Sequence, residues 1–573
     1  MRPIYRVALT LLLVAPLTAP AFAAEPDAPD ALIGRPEAIR IAVQTRLSAK
    51  FTSTTEAKKS EQGALVEYYA VPDQHLLWVD ENGLTERGKA VIAEIGAADD
   101  YGLRASDYAL PKADSFNAAD AEATDWLADA EIKISYAVLD YANDARGGRI
   151  NPPRLSENLD PELALPNPSE VIESIAIRSD PAAYLRSFQP DQPQFEALRQ
   201  KLLEARGGGK SAGSVKTVAV TIPDGPILKL GVDDEQVALL RKRLDVPSEA
   251  GASETKFDES VLDAVRRFQL AHGAAPDGLV GAGTRRMLNN PQQQPQHASG
   301  SPSQIRALLI NMERWRWLPH DLGPYYVTVN IPEFMLRVVA DGKPVHTTRV
   351  VVGKPDKQTP IFSNEMQEIV FGPFWNVPTS IKVEEIRPYV REEASWLFGG
   401  GGFNTSVFQR HNLRVKYLGR EVDPAAVDWN RIDIRSTEIY QPPGPDNVLG
   451  KVKFVFPNKH DVYMHDTPQK FLFAQPVRAE SHGCMRVQNP DQLAAVLLKH
   501  DQGWSEARTI SAIDDGYDSH VALQHRIPVY ITYFTLKVND DGSISTYGDI
   551  YGHDSRMAAA LKLLALKNLG KSR

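Results

Sequence analysis

A single cysteine, Cys484, stands in a chain of 573 residues. No intramolecular disulfide can brace such a chain, so its domains must be held by hydrophobic cores, which a chain of this length can build. The sulfur sits in Ser481-His482-Gly483-Cys484-Met485-Arg486, and a second histidine, His465, lies upstream in Met464-His465-Asp466-Thr467-Pro468. A thiol attacks carbonyls as thiolate, and a free cysteine is mostly protonated at neutral pH. A nearby imidazole can take that proton and hold the ion pair, and His465 and His482 bracket the sulfur. Lone cysteines are most often small buried hydrophobes. Here, however, Gly483 permits a tight turn or the close approach of a ligand, and the Ser-His-Gly-Cys run builds no packing face. His465, His482 and Cys484 are also three residues of the type that ligate zinc, but no CxxC or HExxH pattern accompanies them.

The His-Asp…Ser-His-Gly-Cys-Met-Arg arrangement resembles the catalytic signature of L,D-transpeptidases with a YkuD-type domain, cysteine enzymes that cross-link peptidoglycan. Asp466 stands where the family's first motif usually carries glycine, a departure that matches the large Gram-negative, YcbB-type branch. The resemblance implies that Cys484 is the nucleophile and His465 the base, with a pKa suited to neutral pH. Backbone N–H groups of Gly483 and Cys484 would stabilise the oxyanion, and His482 would shape that hole or the substrate pocket. Arg486 is a fork-shaped donor suited to a stem carboxylate or, equally, to a structural salt bridge. Ser481, Asn447 and Asn458 complete the candidate substrate contacts, although asparagine in a turn needs no ligand to explain it. The motif calls for no metal and no organic cofactor. The expected partners are peptidoglycan stem peptides and glycan, with carbapenems as covalent inhibitors. The same chemistry with water as acceptor gives an L,D-carboxypeptidase, and with a protein amine it gives wall attachment. A non-catalytic wall-binding scaffold is the reading from a different class.

The chain opens as an export signal would. Arg2 and Arg6 precede the apolar run Val7–Val14, and Ala21-Phe22-Ala23 is an A-x-A cleavage site, so residues 1–23 read as a signal peptide and the mature protein as periplasmic. The run is too short for a comfortable membrane span, and no stable span is expected after cleavage; an uncleaved anchor is the alternative. Hydrophobic content of 43% and charged content of 24% are ordinary for globular domains, and a net charge of −9 gives no reason to propose a nucleic-acid partner.

The expected fold class is multidomain α+β. Residues 24–35 form a polar leader. Residues 36–215 read as a mostly helical scaffold, with Ile39, Val43 and Leu47 at four-residue spacing and an amphipathic helix over Trp126–Tyr141. Gly207–Thr217 is a flexible break. Residues 226–290 read as three helices, with Thr284 as a cap of the last. Their Ala-Val-Arg-Arg-Phe-Gln core and Asp277-Gly278 turn resemble the peptidoglycan-binding module of wall hydrolases. A linker at 291–304 leads to a β-rich catalytic domain over 305–553, where the period changes to two and Asp341-Gly342 marks a hairpin. Within it, residues 378–445 are a loop-helix insertion expected to cap the site. A helix over 554–573 closes the chain.

Overall fold

The computed structural model describes residues 34–49, 55–72, 74–112, 116–207, 220–244, 246–247, 253–271, 278–289, 300–390 and 403–563. The signal peptide, nearly all of the leader, most of the Gly207–Thr217 break, Asp277, residues 291–299 of the linker and residues 564–573 of the closing helix lie outside them.

The scaffold is built from α1 (Arg35–Ser48), α2 (Glu56–Ala70), α3 (Glu86–Gly96), α4 (Ala123–Ala145), α5 (Pro168–Ile177) and α6 (Pro181–Arg186). Side-chain caps set several starts. Thr55, Thr85, Asn167 and Asp180 each accept a first-turn backbone N–H. The anticipated stripes face one core: Ile39, Val43 and Leu47 meet Leu127, Ile134 and Val138 of α4. A carboxylate lies in the middle of that core. Glu131, fully buried, accepts the N–H groups of Leu77 (2.5 Å), Trp78 (2.9 Å) and Val79 (3.1 Å) and the hydroxyl of Tyr69 (2.6 Å). It thereby supplies acceptors to a segment that enters its hairpin with backbone donors unpaired.

A further helix, α7 (Pro193–Ala205), packs elsewhere. Its Phe195, Leu198 and Leu202 join the core of the catalytic domain, not that of the preceding helices. Gln194 clasps Val538 of that domain through both backbone groups, at 2.7 and 2.9 Å. Asn158 and Asp160 bond Ile361 as an added bridge.

The small module folds as expected into α8 (Glu235–Leu244), α9 (Glu259–Ala271) and α10 (Ala282–Asn289) around Val237, Leu240, Phe257, Val261, Val265 and Leu288. Thr284 lies inside α10 instead of capping it, and its hydroxyl donates to the Leu279 carbonyl (2.9 Å). The module sits against the catalytic domain through Arg349 and Asp263 (2.5 Å) and through Arg266, which donates to the Ala474 carbonyl.

The catalytic domain starts with α11 (Pro302–Trp315), whose Trp315 stacks on Phe534 at 4.7 Å. Its strands are β1 (Tyr325–Asn330), β2 (Met335–Ala340), β3 (Lys343–Gly353) and β4 (Ser363–Phe371). The Asp341-Gly342 hairpin falls between β2 and β3, with both residues at positive φ. An insertion follows, and it is more than loop and helix. Strands β5 (Trp375–Asn376), β6 (Arg414–Tyr417), β7 (Arg420–Val422) and β8 (Glu438–Gln441) form a sheet in the order β5-β8-β6-β7. It has a core of its own, centred on Val415, Phe408, Trp429 and Ile439. The main sheet resumes with β9 (Val452–Val455), β10 (Met464–His465), β11 (Ala479–Ser481), β12 (Met485–Val487) and β13 (Ser519–Thr532). Its order is β11-β3-β12-β10-β9-β4-β13-β1-β2, and β2 also pairs with β3. Helices α12 (Pro490–Gln502) and α13 (Glu506–Asp514) pack beside it, and α14 (His553–Ala560) lies against α11.

Glu131→Gln places an amide NH2 among backbone donors. A loss of about 2–4 kcal/mol is expected, read as a lowered urea midpoint with an unchanged slope.

Candidate active site

Three adjacent strands set the site. β10 runs antiparallel to β9 and parallel to β12, with Lys453 opposite His465 and His465 opposite Arg486. The next row, Phe454, Met464 and Met485, is wholly buried. Side chains alternate along a strand, so the hydrophobic row anchors the sheet to its core. Lys453, His465 and Arg486 therefore stand side by side on the other face. Cys484, one residue before β12, falls opposite Tyr463 on that same face and diagonal to His465.

His465 is buried, and its Nδ1 donates to the Asp466 carbonyl. That bond fixes the tautomer and leaves Nε2 with a free lone pair. The Asp466 carboxylate does not reach the imidazole. It accepts the N–H groups of Thr467 (2.7 Å) and Lys451 (2.9 Å) and the Lys470 ammonium, and so braces the turn that presents the carbonyl. Gly450, at φ 59°, lies against that carboxylate with no room for a Cβ.

Cys484 is partly buried, and its hydrogen bonds run to the backbone and phenol of Tyr463; among the described residues none runs to His465. Burial pushes the thiol up to about 11, against the pull of those bonds and of the Lys453 and Arg486 charges. His465 moves the opposite way. Burial, then Arg486 and Lys453, lower it to about 3, with the Asp466 bond opposing. Both shifts run against the expected ion pair and the expected neutral-range imidazole. Desolvation on both partners favours the uncharged thiol and imidazole.

The Ser481–Cys484 turn is tied down. Ser481 Oγ donates to the Cys484 carbonyl (2.6 Å) and accepts the Gly483 N–H (3.2 Å), while Thr359 donates to the Gly483 carbonyl (2.8 Å). Gly483 takes φ 114°, a conformation open to glycine. Its N–H thus already has an acceptor, and Ser481 serves the turn. Among the described residues no acceptor takes the Cys484 N–H.

His482 is exposed and turns toward the insertion, where its Nε2 lies 2.5 Å from Glu385; Lys357 holds the neighbouring Glu384 at 2.6 Å. Arg486 donates to the Gln469 side chain (2.6 Å). Asn447 donates to the Pro373 and Pro442 carbonyls, both at 2.9 Å, and accepts the Leu449 N–H. Asn458 bonds Phe456, Val462 and His460 within its own turn. Both amides brace backbone. Among the described residues no three acidic, histidine or cysteine side chains gather as a metal site.

Two residues at the site went unnoticed in the sequence, Lys453 and Tyr463. The Lys453 ammonium lies 4.1 Å over the Tyr463 ring. Alternation was the available signal: Lys453 precedes an inward Phe454, and Tyr463 stands two residues before His465.

Comparison with known proteins adds three matches along the chain. Residues 63–202 match a scaffold domain, 233–288 a peptidoglycan-binding domain, and 324–508 an L,D-transpeptidase catalytic domain. That order is the layout of the YcbB-type branch. A Haemophilus influenzae protein provisionally named an L,D-transpeptidase is 31% identical over 254 residues, 44% of this chain and 49% of that protein. The chain thus spans about half the length of the curated relative it matches. An L,D-transpeptidase structure from Xylanimonas cellulosilytica is 13% identical, covering 54% of this chain and 99% of that one, with a TM-score of 0.21. One from Mycobacterium smegmatis is 12% identical over 36% of this chain and 58% of that one, with a TM-score of 0.17. Scores this low carry no argument about the fold.

With the thiol at about 11, iodoacetamide labelling of Cys484 in the substrate-free protein should accelerate about tenfold per pH unit from pH 6 to 9. A plateau near neutrality, followed by intact-mass spectrometry, would reveal a resting thiolate instead. His465 binds no proton in the fold between about 3 and its ordinary value. The unfolded chain does, so the site's contribution to stability falls on acidification through that window.

Proposed function

We propose that the chain is a periplasmic L,D-transpeptidase that moves an acyl group between peptidoglycan stems through a thioester on Cys484. The observation that carries the reading is the shared strand face. A cysteine sulfur and a histidine with a free Nε2 lie diagonally across a parallel strand pair, with the histidine held by its neighbour's carbonyl. The three matched domains support the substrate class, and the A-x-A leader supports export.

In the first half-reaction Cys484 gives its proton to His465 Nε2 and attacks the carbonyl at the L-centre of the third stem residue. The C–S bond forms and the oxyanion takes a hydrogen bond from the Cys484 N–H, an effect of about 3–4 kcal/mol in comparable sites. The C–N bond to the terminal D-residue then breaks, and His465 returns its proton to the departing amine. In the second half an amine of another stem attacks the thioester. His465 takes the amine proton, the C–N bond forms, the C–S bond breaks, and the sulfur is reprotonated. Because burial opposes charge on both partners, the proton moves together with attack on the carbonyl. His482, through Glu385, links the nucleophile turn to the capping insertion. Ser481 holds that turn, and Arg486, held by Gln469, borders the donor path.

Purified protein incubated with disaccharide-tetrapeptides should yield dimers and a thioester adduct on Cys484 in intact-mass spectra, and a carbapenem should leave a stable adduct on the same residue. Cys484→Ala should abolish both, and His465→Ala should slow dimer formation by about 10²–10⁴-fold. Cross-linking that survives Cys484→Ala would overturn the reading.

A further inference from the structure

We propose that Lys453 is a carboxylate-recognition residue of the acyl-donor site, selecting a stem whose third residue, the one that bears the scissile carbonyl, also carries a free carboxylate. The inference rests on the transpeptidase reading above and adds the charge of its donor. The alternating pattern of β9 sends Val452 and Phe454 into the core and leaves Lys453 on the active-site face, in one row with His465 and Arg486. Its side chain is only partly exposed. Among the described residues no carboxylate lies within ion-pair distance of its ammonium, which rests instead on the Tyr463 ring at 4.1 Å. The acidic groups that face it do not pair with it: Glu368 holds His520 at 2.9 Å, and Asp518 lies 3.4 Å from the same histidine. On the other side of His465, Arg486 is held by the neutral Gln469 side chain.

This face therefore carries two cations, Lys453 and Arg486, and among the described residues neither is held in an ion pair, although Glu368 and Asp518 act on Lys453 and Glu480 on Arg486 from farther off. Burying an ammonium without a counter-ion is costly, and burial does lower the Lys453 ammonium from its ordinary value. An arriving carboxylate supplies the missing partner, at a position one strand away from the attacking sulfur's neighbour His465. Lysine makes this contact as a point charge, with no demand for a fixed fork geometry.

The test compares two synthetic tetrapeptide donors that differ only in a free or amidated carboxylate on the third residue, with thioester formation on Cys484 followed by mass spectrometry. A charge-assisted hydrogen bond predicts that the wild-type protein favours the free acid by about 10–100-fold in kcat/KM, mostly through KM. Lys453→Met should reduce that preference to within about threefold, and Lys453→Arg should restore most of it. A wild-type protein indifferent to amidation would overturn the proposal, and that measurement needs no variant. So would a Lys453→Met protein that keeps the full preference, or one that loses the same factor on both donors, which would place Lys453 on the thiol instead. If neither donor acylates wild-type Cys484, the transpeptidase reading itself fails, a result distinct from acylation without discrimination.

Discussion

The parallel pairing of Met464–His465 with Met485–Val487 is the contact on which the site depends. Met464 and Met485 face each other in register and are wholly buried, so the same pairing that closes the core also sets the reactive face. A slip of one residue would send His465 inward and bring a methionine to the surface. The hydrophobic row thus fixes the row of Lys453, His465 and Arg486, and the two cannot be varied separately.

Electrostatics on that face follow from burial before they follow from charge. Desolvation raises the thiol and lowers the imidazole, while Lys453 and Arg486 act on both. The cations favour a thiolate and disfavour an imidazolium, so their effects on proton transfer between the two largely oppose. What remains is desolvation, which opposes charge on both. Tyr463 bonds the thiol through its backbone and its phenol.

Around the site, buried polar groups join what the chain order separates. Asn311 of α11 binds the backbone N–H groups of Thr535 and Leu536, and Arg316 reaches Tyr101 and Gln189. Such bonds leave little freedom between the helices before residue 205 and the sheet. The insertion is tied differently. Its own core is separate, and it meets the Ser481–Cys484 turn through His482–Glu385 and the loop between β3 and β4 through Lys357–Glu384.

Much of this was legible in the residues. Four-residue spacing located the scaffold helices, alternation located the strands after Tyr325, and the lone cysteine with its two histidines marked the candidate site. These are local signals, carried by neighbours in the chain. Which core the Pro193–Ala205 helix joins was not legible, because its amphipathic stripe looks the same whichever core receives it. Nor was the sheet inside the insertion, whose strands are two to four residues long. Asn447, Asn458 and Ser481 looked like ligand contacts because turn-bracing and ligand-binding use the same side chains. The sequence by itself determined that helical and β-rich domains were present, and its resemblance to L,D-transpeptidases pointed to Cys484 and its two histidines. Only the tertiary structure decided that Tyr463 faces the sulfur, that a carbonyl and not a carboxylate orients His465, and that Lys453 joins the site. Those facts depend on strand register, which pairs residues far apart in sequence and leaves no trace in either strand read singly.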